Sequence, residues 1–178
     1  MRKNLLLTTA LVAFALPAYA GDYRGQTGGN VELGEKTYTR ISGVVVNKHK
    51  DIDGLNFTLN KTTANEELIG VFFEGPTEET IISGDVIINA NNVTVDDNIT
   101  GSMISPLKGS WKDVAVGITG KTIVNVTDSA VGESVRGANI GSKGSSLDKQ
   151  YYTIGDIELN IKDTVVAHQT KRNGNYSD

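Results

Sequence analysis

Gly84-Asp85-Val86-Ile87-Ile88-Asn89-Ala90-Asn91-Asn92-Val93-Thr94-Val95 is the stretch whose reading decides the fold, because the chain writes it again twice. The second copy is Gly120-Lys121-Thr122-Ile123-Val124-Asn125-Val126-Thr127-Asp128-Ser129-Ala130-Val131. The third is Gly155-Asp156-Ile157-Glu158-Leu159-Asn160-Ile161-Lys162-Asp163-Thr164-Val165-Val166. The three align without a gap, and their starts lie 36 and 35 residues apart. A fixed period of this length is the mark of stacked supersecondary units.

Within each copy the apolar positions alternate: Val86, Ile88, Ala90; Thr122, Val124, Val126; Ile157, Leu159, Ile161. A period of two built from Val, Ile and Thr predicts a half-buried strand. Asn89, Asn125 and Asn160 then fall on the opposite face. Stacking the copies would bring these amides into a ladder at the ~4.8 Å strand spacing. Asn92, Asp128 and Asp163 mark a turn, since their short polar side chains can bond nearby backbone. A second short strand follows, and a third apolar patch lies near Ile99 to Ile104 and Val135 to Ile140, with Gly101 matching Gly137.

A weaker copy, displaced by one, runs from Gly54 through Leu59 and Asn60 to Gly70 and Phe73. One unit cannot bury its apolar stripe alone, whereas stacked units bury a continuous one. The expected fold is therefore all-β, a parallel β-helix (solenoid) with repeats of about 30–36 residues; the alternative is an antiparallel β-sandwich. Copies start near residues 54, 84, 120 and 155, so 54–178 is assigned to repeats and 21–53 to an N-terminal strand and capping region. In that region Gly25 to Asn30 reads as a flexible start and Arg40 to Val46 as a strand. Stretches 105–119 and 141–154 read as loops or accessory strands leaving one corner.

Composition narrows the function. The chain has 178 residues, no Cys and a formal charge of −4, so it can hold neither a disulfide framework nor a Cys-based metal site or nucleophile. Its acidic balance gives no footprint for nucleic acid. Residues 1–20 read as a secretory signal: Arg2 and Lys3, an apolar run from Leu5 to Leu16, and Ala18-Tyr19-Ala20 before a cut between Ala20 and Gly21. The apolar run is too short to span a bilayer, and no later segment is apolar enough to do so.

The repeated Gly-Asp-Val-x-Ile-Asn and Gly-Asp-Ile-x-Leu-Asn patterns, each ending in a turn and a later glycine, resemble the passenger domains of bacterial autotransporter adhesins. The resemblance covers roughly residues 54–178 plus the signal. It implies a right-handed parallel β-helix, export behind a signal peptide and outer-membrane anchorage through a C-terminal β-barrel. This sequence has no room for that barrel, so the chain is expected to be an N-terminal fragment or a short secreted relative.

Catalytic candidates are thin, and no cofactor or metal is expected. His49 and His168 lie far apart, with no ligand spacing around either. Asp51-Ile52-Asp53-Gly54 matches part of a calcium loop, but His49 would take the first ligand position and Asn60 the twelfth, so a turn is the better reading. Asp96 and Asp97 are adjacent; in one strand they would face opposite ways and could not form an acid–base pair across a sugar. They are assigned to a polar corner. Asn-x-Ser/Thr triplets at Asn56, Asn60, Asn92, Asn98, Asn125 and Asn175 are read as products of an Asn- and Thr-rich composition. Trp111, Tyr151 and Tyr152 form the one aromatic group singled out for recognition.

The expected function is a non-catalytic exported protein, secreted or at the cell surface. It would present loops from a rigid stack to a host or bacterial surface glycan or protein. The alternatives are a secreted carbohydrate-active β-helix enzyme and a fimbrial or structural β-sandwich subunit.

Overall fold

The computed structural model describes residues 21–48, 52–76, 78–105, 115–140 and 151–167, and every regular element among them is a β-strand. A short β1 (Tyr23–Arg24) precedes a first circuit of β2 (Gly29–Leu33), β3 (Thr37–Tyr38) and β4 (Ile41–Val46). The second circuit is β5 (Leu55–Asn60), β6 (Thr63–Ala64), β7 (Leu68–Glu74) and β8 (Thr80–Ile82). The third is β9 (Val86–Asn91), β10 (Thr94–Val95), β11 (Asn98–Ser105) and β12 (Ala115–Ile118). The fourth is β13 (Thr122–Thr127), β14 (Ala130–Val131), β15 (Ser134–Ile140) and β16 (Tyr151–Ile154), after which β17 (Ile157–Lys162) and β18 (Val165–Val166) open a fifth.

Equivalent strands of successive circuits pair to form four parallel sheets. The front sheet is β2-β5-β9-β13-β17, the side sheet β3-β6-β10-β14-β18, the back sheet β1-β4-β7-β11-β15, and the corner sheet β8-β12-β16. Val86, Thr122 and Ile157 lie side by side, as do Asn89, Asn125 and Asn160. Parallel pairing throughout the described residues excludes the antiparallel sandwich and gives a solenoid-like stack.

The inner columns explain why the repeats must stay in register. Phe57, Ile88 and Val124 are fully buried in one column, and Leu59, Ala90 and Val126 in the next. A slip of one residue would turn each strand's apolar set outward. Strand β7 is buried on both faces, which accounts for its unbroken run Leu68, Ile69, Val71, Phe72, Phe73. Leu68, Val71 and Phe73 join the main core, while Ile69 and Phe72 pack with Val45 and Met103 in a second cluster.

Two devices turn the chain. Lys61, Asn92, Asp128 and Asp163 occupy one corner in the left-handed conformation, with φ of 53°, 52°, 50° and 47°. Asn and Asp tolerate that region better than most residues do, so backbone conformation, more than the expected side-chain bond, selects them. On the back sheet, a Cβ on Gly101 would stand 2.4 Å from the Gly137 oxygen and 2.4 Å from Thr122 Cγ2. Only glycine lets the front sheet's side chains approach so closely.

Residues 29–46, within the stretch assigned to an N-terminal strand and capping region, form three strands that pair in register with the second circuit, with Val31 beside Phe57, Leu33 beside Leu59 and Ile41 beside Leu68. Two expectations are corrected. Gly25 and Gly29 are tied down, their N–H groups donating to Ser42 O at 3.0 Å and Gly54 O at 2.9 Å. Finally, Ile157, Leu159 and Ile161 are exposed rather than half-buried, because no strand among the described residues lies on the far side of β17.

Candidate functional site

Alternation on the front sheet sends the even-numbered or odd-numbered polar residues of each strand outward together. There the structure aligns five asparagines across five circuits. Asn56 donates from Nδ2 to Asn30 Oδ1 at 3.1 Å, Asn89 to Asn56 at 3.0 Å, Asn125 to Asn89 at 2.8 Å and Asn160 to Asn125 at 2.9 Å. Asn160 donates further to Glu158 Oε1 at 2.8 Å. Beside this row, Asn91 donates to Asn60 at 3.2 Å, and Asn60 to Glu32 Oε1 at 3.0 Å. Every one of these bonds between circuits runs toward the earlier circuit, so the face is a directional amide array.

Asn30 and Asn56 were not foreseen. The spacing hid them: Asn56 lies directly opposite Ile87, and it reaches Asn89 on a diagonal. The signal that could have found them is the alternation Asn30-x-Glu32 and Asn56-x-Thr58-x-Asn60, read against the aligned copies.

At one edge of this array lies a groove of about 530 Å³. Thr27, Asn30 and Asn56 contribute polar atoms, Asp53 and Asp85 carboxylates, and Ile52, Leu55 and Ile87 apolar surface. Asp85 Oδ1 is already engaged, accepting from the Lys121 N–H at 2.8 Å. Ile52 and Leu55 are buried and Ile87 is half-buried, so the groove is a polar surface of carboxylates and amides over the edge of the core. Among the described residues no group of three or more His, Asp or Glu is placed to hold a metal ion.

The other singled-out residues are dispersed. Asp96 and Asp97 sit at the corner between β10 and β11, their N–H groups bonded to Ala64 O and Glu66 O at 3.0 and 3.1 Å. Asn98 is buried, donating to Glu133 Oε2 at 3.0 Å and accepting from Ser134 Oγ at 2.5 Å. Gly21 is exposed ahead of β1. Ala20, His49, Asp51, Trp111, His168 and Asn175 lie outside the described residues.

The aromatic group divides. Tyr151 pairs with Ala115, and Tyr152 with Val116. The Tyr152 ring packs against the main core, and burial holds its hydroxyl above the usual phenol range. The ring is half-buried, set against the core by the alternation of β16.

The corner that carries β8, β12 and β16 has one further property. Residues 75–79, 106–114 and 141–150 interrupt successive circuits between the back and corner sheets, each longer than the last. They leave from neighbouring positions, where Glu74 pairs with Ser105 and Ile104 with Ile140. They return at Thr80, Ala115 and Tyr151, where Val116 pairs with Thr80 on one side and Tyr152 on the other. Among the described residues no helix is long and apolar enough to cross a membrane. Comparison with protein families, with curated proteins and with solved structures finds no match to this chain.

Proposed function

We propose that the chain is a non-catalytic, exported β-helix of adhesin-like type, in which circuits of about 30–36 residues carry loops that bind a surface glycan or protein. The observation that carries this reading is the placement of the insertions. Three successive circuits place their insertions at one corner, while from the second circuit on the front strands keep six residues and the side strands two. A rigid stack that varies in length at a single corner concentrates variable segments on one side, which is how binding surfaces are built on repeat scaffolds. The amide array and the carboxylate groove add hydrogen-bonding groups suited to sugar hydroxyls. Export behind residues 1–20 and a place at the cell surface or in the medium belong to the same reading.

The test uses the exported chain on glycan arrays and on intact bacterial and host cells, beside a variant with 106–114 replaced by a Gly-Ser linker of equal length. Saturable binding that the linker abolishes, with the urea midpoint unchanged, is the expected result. Unchanged binding, or release of reducing ends from a polysaccharide, would refute it. N-terminal sequencing of the exported form should begin at Gly21.

A further inference from the structure

The two ends of the stack are unlike. At the first end the Tyr23 ring stacks on Phe57 at 6.1 Å and meets Tyr38 edge-on at 6.0 Å, covering the core. At the other end no described residue covers the core. The large apolar residues exposed among the described ones are Ile140 and six between Ile154 and Val166. They include Ile157 at 46%, Leu159 at 42%, Ile161 at 47% and Val165 at 67%. Monomers rarely leave a contiguous apolar patch of this kind facing water.

The same end presents a backbone edge. Thr122 N–H donates to Asp156 O at 2.8 Å and Asp128 N–H to Lys162 O at 3.2 Å, so the even-numbered residues of this segment turn their polar groups toward β13. Alternation leaves the N–H and C=O of Ile157, Leu159 and Ile161 pointing at the open edge. An unpaired edge is a template for another strand.

We propose that this end binds a second copy of the chain across a two-fold axis, β17 pairing antiparallel with its counterpart about Leu159. The strand is complementary to itself in that register. Leu159 faces Leu159 of the partner, and Ile157 faces Ile161, so all three apolar positions of the strand meet apolar ones. On the outer face Lys162 stands opposite Asp156, and Asn160 opposite Glu158, with no like charges in register. The hydrogen-bonding phase also agrees: the edge groups of 157, 159 and 161 fall on hydrogen-bonded pairs, as an antiparallel ladder requires. The two-fold lays β18 of one copy across the β16 end of the other, covering Val165 and Ile154. A closed two-fold contact uses the bare end of both copies and leaves the Tyr23 ends outward.

The absence of cysteine makes the test clean. Sedimentation of the chain from residue 21 onward should give twice the monomer mass at micromolar concentration. Leu159→Cys should form an intermolecular disulfide under mild oxidation, because hydrogen-bonded antiparallel partners lie ~5.5 Å apart at Cα, within disulfide reach. Lys162→Asp should raise the dimer Kd at least tenfold, and adding Asp156→Lys should restore it. Restoration by the charge swap separates lost pairing from lost folding. A monomer at high concentration, head-to-tail polymers, or a dimer that Leu159→Cys does not link would each overturn the proposal.

Discussion

Val124→Ala is the substitution that tests the inner face most sharply. Val124 is fully buried between Ile88 and Leu159, in a strand held on both sides by parallel neighbours. Removing two methyl groups forfeits ~1.6 kcal/mol of transfer free energy at ~0.8 kcal/mol per carbon. A rigid stack relaxes poorly, so a residual cavity of ~50 Å³ adds ~1.2 kcal/mol at ~24 cal/mol per Å³. The total is ~3 kcal/mol. Asn125→Ala is the outward control. It removes the bond donated to Asn89 and the one accepted from Asn160, each at most ~1 kcal/mol, and water replaces much of that on a half-buried face. Its cost should be ~1 kcal/mol. Asn160→Ala, at the exposed end, should cost a few tenths, on the order of 0.3 kcal/mol. With a urea slope of ~1.5 kcal/mol per molar, the midpoints should fall by ~2 M, ~0.7 M and ~0.2 M. A larger shift for Asn125→Ala than for Val124→Ala would refute the assignment of inner and outer faces.

Other expectations follow from the same geometry. Gly101→Ala should lower stability by ~2 kcal/mol, since its Cβ would overlap the Gly137 oxygen, whereas Gly34→Ala, with open space around it, should be close to neutral in the same melt. Asp128→Gly should match or exceed the parent in thermal midpoint, and Asp128→Ala should lose ~1 kcal/mol, because its φ of 50° is left-handed. Burial, then the neighbouring Tyr38, raises the Tyr23 hydroxyl above its ordinary value of 10.0. The unfolded chain therefore ionises first, so the stability this group contributes is whole below pH 10 and is lost as pH rises through the folded value. Urea midpoints should fall as pH rises past 10, and Tyr23→Phe should flatten that fall.

The front sheet was legible because it obeys two sequence rules at once: period-two apolarity and a turn residue able to take positive φ. The first circuit was illegible for a geometric reason. It has no corner-sheet strand among the described residues, so its spacing is shorter and Val31 and Leu33 do not fall in line with the later copies. The back sheet hid its pairing differently: strands buried on both faces lose alternation, and Leu68 to Phe73 reads as a plain apolar run. Tyr152 shows the limit among the aromatic residues singled out for recognition. Sequence placed it within a stretch read as a loop or accessory strand, but only pairing with Val116 reveals that its ring packs against the core. The groove could not be read at all, because Asn30, Asp53 and Asp85 come from three circuits.

The central claim, that successive circuits stack as parallel strands in register, is tested most directly by scalar coupling across individual hydrogen bonds in NMR. The Val86 N–H should correlate with the Lys121 carbonyl, and the Thr122 N–H with that of Asp156, both at 2.8 Å in the structure. Observing both pairs is the predicted result, since no hairpin or sandwich pairing joins these residues. Correlations of Val86 and Thr122 with carbonyls of antiparallel partners would contradict the account.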